Sequence, residues 1–263
     1  MNGRIDGDLY YEVMGPADAP PMLFIHPNPM DGSSWLFQLA HFSTWFRCLA
    51  VDLPGYGRSP RSQPGLTIGD LADACWDAVD AESTGPAVIV GCSIGSYIAQ
   101  YMYHRHPDRT QAIVLCGAGW RPTKAFPARR IAEYRQHGLD HRYDYTLQDF
   151  AAAFRTGPLA RWFAEMFSER NHVGDLDSVI RNFEAIEPPD PDWLQYQLEA
   201  PVLILSGSED PTGEAAPALQ ARLPDAELVV LEGAGHACYI EQPWRFDAEM
   251  SGFLRRRDLL PTR

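Results

Sequence analysis

The chain has 263 residues and carries 35 acidic against 22 basic side chains, a formal net charge of −13. A surface this acidic repels phosphate backbones and anionic headgroups, which argues against nucleic acids and membranes as partners. Hydrophobic residues make up 45% of the sequence and charged residues 22%, the balance of a globular protein with a sizeable core. This length predicts one large domain, or one domain that carries an insertion.

The first 120 residues alternate apolar runs with helical patterns. Residues 3–14 alternate polar and apolar side chains about an Asp-Gly turn, which predicts a β-hairpin. Continuously apolar runs then predict strands buried on both faces, as in a parallel sheet: PMLFIH (21–26), FRCLAVD (46–52), PAVIVGC (86–92) and QAIVLCG (111–117). Apolar side chains at three- and four-residue spacing predict a helix over 67–81, capped by Thr67, and another over 94–106. Such alternation predicts a doubly wound sheet with right-handed crossovers.

The pattern changes over residues 120–199, which are rich in Arg and aromatic side chains and predict mostly helix. A proline-rich stretch at 188–191 marks the exit from this segment. The earlier rhythm then resumes with a strand over 201–207, a helix near 215–221, a strand over 226–232 and a closing helix over 243–256. We therefore predict an α/β core formed by residues 1–119 and 200–263, interrupted by a helical insertion.

The five cysteines show no spacing typical of a disulfide framework or a zinc site. Their number is odd, none forms a C-x-x-C pair, and most lie in apolar runs, where cysteine packs as a small hydrophobic residue. Such usage is typical of a reducing compartment. The first residues lack the apolar core of a signal peptide, and no apolar run approaches the ~20 residues that span a bilayer. We therefore expect a cytoplasmic protein.

The motif GCSIG (91–95) follows one predicted strand and leads directly into a helix, the context that a G-x-S-x-G nucleophile elbow requires. A tight strand-to-helix turn strains the serine backbone, and the flanking glycines let neighbouring chain approach. The Ser93 hydroxyl then lies at a helix N-terminus, where partial positive charge stabilises a developing anion. We interpret Ser93 as a nucleophile rather than part of a structural turn, and expect Cys92 beside it to be a packing residue.

A serine nucleophile needs an adjacent base, and His236 is the best placed of the eight histidines. It lies on a glycine-containing loop after the last predicted strand, from which it can reach the carboxyl edge of the sheet. The acid that orients the base should follow the preceding strand, where Glu209 and Asp210 both qualify before Pro211. The residues alone leave the choice between these two acids open.

A tetrahedral intermediate requires N–H donors directed at its oxyanion. One donor should be the backbone N–H of Ile94, the residue after the nucleophile. The second should come from the loop HPNP (26–29), which follows the first buried strand.

Five motifs, in this order along nearly the whole chain, resemble the α/β-hydrolase superfamily and its serine-nucleophile esterase and lactonase branch: PMLFIHPNP, AVDLPGYGRS, VIVGCSIGSYIAQ, LILSGSEDP and GAGHACYIEQP. The resemblance implies Ser93, Asp210 and His236 as a catalytic triad, and so favours Asp210 over Glu209. It also implies a mostly parallel doubly wound sheet, with residues 120–199 as a helical cap over the pocket.

The resemblance further implies an oxyanion hole formed by the N–H groups of Asn28 and Ile94, with neither a metal nor an organic cofactor. This chain departs from the family at Pro27, where the family has glycine, and at Ser96, which should crowd the start of the helix. The turn DLPGYGRS (52–59) is expected to be structural. Large aromatics of the insertion should pack in the core, with some lining the pocket: Trp120, Tyr134, Trp162, Phe163, Phe167 and Trp193.

The predicted function is hydrolysis of a small carboxylic ester or lactone through an acyl-enzyme. Dehalogenases and epoxide hydrolases of this fold attack with aspartate, so Ser93 argues against them. One alternative is a C–C bond hydrolase of ring-cleavage diketones, which uses the same triad but commonly carries Trp where this chain has Ala237. The other is a non-catalytic ligand receptor on the same fold, since a fold by itself does not fix a function.

Overall fold

A seven-stranded sheet forms the centre of the protein, whose structure, a computed structural model, describes residues 4–117, 119–120, 122–187, 197–223 and 225–261. The strands in chain order are Tyr11–Met14 (β1), Pro21–Ile25 (β2), Arg47–Val51 (β3), Ala87–Cys92 (β4), Thr110–Cys116 (β5), Val202–Gly207 (β6) and Glu227–Leu231 (β7). Their spatial order is β1-β3-β2-β4-β5-β6-β7. β1 runs antiparallel to β3 and every other neighbouring pair is parallel, which confirms the predicted fold class.

Helices cover both faces of this sheet. In chain order they are Leu36–Phe42 (α1), Ile68–Glu82 (α2), Ile94–Arg105 (α3), Ala125–His137 (α4), Arg142–Gln148 (α5), Ala152–Arg155 (α6), Pro158–Glu169 (α7), Leu176–Ala185 (α8), Ala215–Arg222 (α9), Cys238–Glu241 (α10) and Pro243–Arg256 (α11). None of the helices within the described residues is both long enough and apolar enough to cross a membrane.

Successive side chains of the central strands enter two different hydrophobic cores. Leu23 and Ile25 of β2 pack with α2 and α3, whereas Met22 and Phe24 pack with α1 and α11. All four side chains are completely buried. This two-sided burial explains why the strands are continuously apolar instead of alternating.

The start of α2 confirms the predicted Thr67 cap. The Thr67 hydroxyl accepts a hydrogen bond from the Asp70 N–H at 3.1 Å, and the Asp70 carboxylate accepts one from the Thr67 N–H at 2.8 Å. This reciprocal capping box satisfies two N–H groups that the first turn of a helix would otherwise leave unpaired.

The predicted β-hairpin over 3–14 is wrong. β1 pairs with β3, and Ile5 forms an isolated antiparallel bridge with Ser62. Ile5 and Leu9 are buried in the core on the α2 side of the sheet. The burial of these side chains against residues distant in sequence therefore stabilises the segment more than a local hairpin would. The local alternation of polar and apolar residues does not reveal such a long-range preference.

The insertion between β5 and β6 is helical, as predicted: its described residues contain α4 to α8 and no strand. α4 packs on α8 through Phe126 and Tyr134, whose rings lie 6.0 and 6.1 Å from that of Phe183. The proline-rich exit of the insertion and Trp193 lie outside the described residues.

Candidate active site

Ser93 occupies the turn between β4 and α3 with φ 54° and ψ −117°, a backbone conformation that a non-glycine residue rarely adopts. Positions 91 and 95 require glycine because neighbouring backbone atoms approach them too closely for a side chain. A Cβ on Gly91 would lie 2.3 Å from the carbonyl oxygen of Gly95, and one on Gly95 would lie 2.3 Å from that of Ile25. The turn thus has the geometry of a nucleophile elbow, stabilised by packing against β2.

Ser96 does not crowd the start of α3. Its hydroxyl lies 2.7 Å from the Gly91 carbonyl oxygen and 2.8 Å from that of Cys116, and it accepts a hydrogen bond from the Cys116 N–H at 3.1 Å. One hydroxyl can donate to only one of these carbonyls at a time while it accepts from the N–H. The serine therefore joins the elbow to the end of β5.

His236 contacts Asp210 on the loop after β6. Its Nδ1 lies 3.0 Å from Asp210 Oδ1, the distance of a hydrogen bond in which the imidazole N–H donates to the carboxylate. The same oxygen accepts the N–H and the hydroxyl of Thr212, each at 2.8 Å. The neighbouring Glu209 is exposed and accepts instead from the Ala152 N–H at 3.0 Å. Of the two acids that sequence reasoning left open, Asp210 is the one beside the histidine.

The pair is electrostatically coupled. Burial by itself lowers the pKa of His236, but the Asp210 charge and hydrogen bond outweigh it and raise that pKa to about 9. Burial has the opposite effect on the pKa of Asp210, which His236 and Thr212 nevertheless hold below its ordinary value. The arrangement stabilises an imidazolium beside a carboxylate.

Ser93 and His236 both lie beside the carboxyl end of β5. The Ser93 N–H donates to the Cys116 carbonyl at 2.8 Å, and a Cβ on the next residue, Gly117, would lie 2.6 Å from His236 Cε1. The carbonyl oxygen of His236 also lies 3.8 Å from Cys92 Sγ, a fully buried thiol that packs as expected. Both functional groups therefore lie beside the same strand end, although they are far apart in sequence.

The loop predicted to supply an oxyanion donor is fixed by buried side chains. His26 Nε2 accepts the Leu53 N–H at 2.9 Å, so its proton resides on Nδ1, which faces the Pro27 carbonyl at 2.9 Å. Burial lowers the pKa of His26 to about 4, which keeps the ring neutral. Proline at position 27 is thus accommodated in an ordered loop.

Two phenols hold Asn28 in this loop. Its Oδ1 accepts hydrogen bonds from the Tyr56 hydroxyl, at 2.7 Å, and from the Tyr134 hydroxyl. Within the described part of the chain the Asn28 backbone N–H has no acceptor, and Ile94, as the first residue of α3, has no intrahelical acceptor for its own. The two predicted oxyanion donors are thus not occupied by backbone acceptors among the described residues.

The insertion contacts the loop that carries His236. The Ala237 N–H donates to the Asp149 carbonyl at 3.1 Å, and the Glu241 carboxylate accepts from the N–H groups of Ala151 and Gly235 at 3.0 and 2.9 Å. Asp149 is itself buried beside the site, and this burial raises its pKa to about 6, opposed by the His236 charge. The segment 149–152 therefore forms part of the wall of the site.

The site is closed. Ser93, Asp210 and His236 are only 5%, 7% and 6% exposed. A cavity of about 710 Å³ between the N-terminal segment and α2 contains none of these three residues. The described residues contain no group of three or more His, Cys, Asp or Glu side chains that could hold a metal ion.

A sequence profile of the alpha/beta hydrolase family matches residues 22–246, most of the chain. The protein belongs to the alpha/beta hydrolase family. It is 30% identical over 253 residues to a pimeloyl-(acyl-carrier protein) methyl ester esterase from Chromobacterium violaceum, and the match covers 91% of this chain and 95% of that one. The homologues named as esterases and hydrolases identify this alpha/beta hydrolase as an enzyme.

Solved structures of other alpha/beta hydrolases share the architecture. The enol-lactonase from Burkholderia xenovorans LB400 superimposes with a TM-score of 0.83 at 25% identity, covering 95% of this chain and 98% of that one. A thermophilic esterase from Thermogutta terrifontis gives 0.79 at 26% identity, with coverage of 95% and 93%.

Sequence reasoning missed residues of this alpha/beta hydrolase that surround the predicted ones. Tyr56 was assigned to a purely structural turn and Tyr134 to generic aromatic packing, yet both hold Asn28. The burial of Arg142 and Asp149 could not be predicted, because the sequence of a polar helical segment does not distinguish a buried charged side chain from a solvated one. Trp162, by contrast, is 48% exposed, whereas Phe163 and Phe167 are buried in the core.

Proposed function

We propose that this alpha/beta hydrolase cleaves a small carboxylic ester or lactone through an acyl-enzyme on Ser93. The observation that carries the proposal is the 3.0 Å contact between His236 Nδ1 and Asp210 Oδ1, beside the strand end that also holds the Ser93 backbone. This contact fixes the Nδ1 proton toward the carboxylate, so the Nε2 lone pair is the one left to act as a base.

In the first half-reaction the Ser93 hydroxyl oxygen attacks the substrate carbonyl while His236 Nε2 takes its proton. The N–H groups of Asn28 and Ile94 stabilise the oxyanion that forms. Collapse of the tetrahedral intermediate breaks the bond to the leaving oxygen, which takes the proton back from His236. An alcohol departs from an ester, whereas in a lactone the new hydroxyl remains attached to the acyl group.

In the second half-reaction His236 removes a proton from water as the water oxygen attacks the acyl-enzyme carbonyl. The second tetrahedral intermediate collapses, the Ser93 oxygen recovers its proton and the carboxylic acid leaves. Asp210 stabilises the transient imidazolium in both halves, which is consistent with the raised pKa of His236.

We further propose that residues 120–199 act as a helical cap on a core formed by 1–119 and 200–263. Two contacts support this division: Tyr134 of α4 bonds to Asn28, and the Asp149 carbonyl accepts the Ala237 N–H beside the histidine. The relatives named as an esterase and an enol-lactonase support ester and lactone bonds as the substrate class.

The proposal is tested by labelling with a fluorophosphonate probe and by hydrolysis of para-nitrophenyl acetate and butyrate. Ser93→Ala should abolish labelling and lower kcat on the order of 10⁴- to 10⁶-fold, because the triad acts as a unit. Ser83→Ala, which changes a serine at the distant end of α2, is the matched control. Turnover of more than a few per cent in Ser93→Ala would contradict the assignment, and a wild-type protein that neither labels nor hydrolyses these esters would contradict the proposed ester cleavage.

A further inference from the structure

Arg142, the first residue of α5, is a buried cation that forms a hydrogen bond with the neutral Tyr134 side chain. It is 2% exposed, and within the described residues its Nε and Nη2 atoms have no hydrogen-bond acceptor. Within the described residues no carboxylate forms an ion pair with it, whereas the less buried Arg47 and Arg170 pair with Glu82 and Asp31. Arginine does not lose its proton in proteins, so it cannot escape the cost of burial by becoming neutral. Buried charges of this kind are normally paired.

Arg142 adjoins the proposed oxyanion loop. Its guanidinium carbon lies 5.0 Å from the centre of the Tyr56 ring, and the hydroxyl of the same tyrosine donates to Asn28. Burial raises the pKa of Tyr134, the second phenol that holds Asn28, and the charge and the hydrogen bond of Arg142 oppose this effect. The side chains of Tyr56 and Tyr134 therefore lie between this cation, which has no carboxylate partner within the described residues, and the proposed oxyanion loop.

A second unsatisfied donor belongs to the same cluster. Tyr145, one turn along α5, is buried with no hydrogen-bond partner for its hydroxyl within the described residues, and its ring lies 6.0 Å from that of Tyr134. A buried polar atom without a partner in a native structure calls for an explanation, such as a bound water, ion or ligand group. An anion with hydrogen-bond acceptors would both balance the guanidinium charge and accept from the phenol.

Resting on the function proposed above, we propose that Arg142 binds a free carboxylate on the acyl portion of the substrate. The preferred substrates are then half-esters or lactones of dicarboxylic acids. The planar guanidinium fork matches a carboxylate, which can accept two parallel N–H bonds from it. The acyl portion is favoured because the leaving group must lie beside His236, which protonates it, whereas Arg142 adjoins the Asn28 loop.

The kinetic test compares the mono-para-nitrophenyl ester of glutarate with the same compound methylated at its free carboxylate. The wild type should have the higher kcat/KM for the anionic ester. Arg142→Met should reduce the ratio of anionic to neutral kcat/KM on the order of 10- to 100-fold, the worth of a charge-assisted hydrogen-bond pair. Arg142→Lys, which keeps the charge without the fork, should retain part of the preference. Arg129→Gln, an exposed arginine on α4, is the matched control and should leave the ratio unchanged.

A binding test does not depend on hydrolysis. Glutarate, but not its dimethyl ester, should raise the melting temperature of the wild type and bind in calorimetry, and Arg142→Met should lose both effects. Without ligand, Arg142→Met should melt at the same temperature as the wild type or higher, because an unpaired buried charge has been removed. A purely structural arginine would instead give a lower melting temperature and no ligand effect.

The two tests separate the two proposals. Hydrolysis of the neutral ester without an anionic preference, or a preference that survives in Arg142→Met, would overturn the carboxylate site and leave the proposed hydrolysis standing. Glutarate binding that depends on Arg142 in a protein without esterase activity would support the carboxylate site alone. If inorganic phosphate stabilises the wild type as strongly as glutarate does, the site is not a substrate carboxylate site.

Discussion

Asp210 and Glu209 are adjacent in sequence and chemically alike, but their surroundings are opposite. The Asp210 side chain is completely buried against His236 and Thr212, whereas Glu209 is exposed and binds the Ala152 N–H of the insertion. A carboxylate can fix the histidine tautomer only if it is held against Nδ1. The difference between these two acids therefore lies in their position.

Asp210→Asn should lower kcat by roughly 10⁴-fold, because an amide favours the histidine tautomer that cannot accept the serine proton. Glu209→Gln is the matched control and should change kcat little. Steady-state hydrolysis of para-nitrophenyl butyrate measures both. The opposite ranking of the two variants would mean that Glu209 orients the histidine.

The pH dependence of kcat/KM reports the pKa of His236 in the free enzyme. Because Asp210 raises this pKa to about 9, and the base must be neutral, kcat/KM should fall as pH decreases on an acid limb that lies above the usual histidine range. In Asp210→Asn the residual activity should have its acid limb at lower pH, since burial alone lowers the pKa of His236. A wild-type profile that is flat between about pH 5 and 8, with chemistry rate-limiting, would contradict a histidine base.

At the scale of elements, the helices of the insertion differ in what their aromatic side chains do. Tyr134 of α4 reaches Asn28, and so joins the insertion to the proposed oxyanion loop. Phe163 of α7 is fully buried, with its ring 6.4 Å from that of Phe37 and 6.0 Å from that of Phe167. The neighbouring Trp162 is half exposed. We therefore expect α4 to affect substrate preference and α7 to affect stability.

Tyr134→Ala should change the ratio of kcat/KM between short and long acyl esters by the equivalent of about 1–3 kcal/mol, the usual worth of pocket contacts. Phe163→Ala should lower the free energy of unfolding by about 3–5 kcal/mol through a core cavity and leave that ratio unchanged. Trp162→Ala is the control for both. The measurements are kcat/KM over a series of para-nitrophenyl esters and urea unfolding. If all three variants changed stability alone, substrate preference would reside outside the aromatic side chains of the insertion.

At the scale of the whole molecule, the three predicted triad residues and the insertion that contacts their loops come from different parts of the chain. Ser93, Asp210 and His236 follow β4, β6 and β7 at the carboxyl edge of the sheet, where ligands of open α/β sheets bind. The insertion contacts two loops at this edge, through Tyr134 on the Asn28 loop and through segment 149–152 on the His236 loop.

The sequence by itself determined what depends on short-range chemistry. The strand and helix rhythm, the Thr67 cap and the GCSIG elbow are encoded within a few consecutive residues, because apolar period, capping and glycine placement act locally. The chain order of Ser93, the acid and His236 could also be predicted, since each follows a recognisable strand. The pairing of β1 with β3 could not be predicted. It is stabilised by the burial of Ile5 and Leu9 in a core whose other residues are distant in sequence.

Only the tertiary structure decided which groups surround the predicted ones. Asn28 is held by Tyr56 and Tyr134, which are 28 and 106 residues away in sequence. The structure also places the Arg142 guanidinium, which has no carboxylate partner within the described residues, beside Tyr56. Whether a polar side chain is solvated or buried without a partner depends on what the folded chain places around it. Burial determines the electrostatic cost of a charge, which is why the proposed carboxylate site at Arg142 could be inferred only from the folded chain.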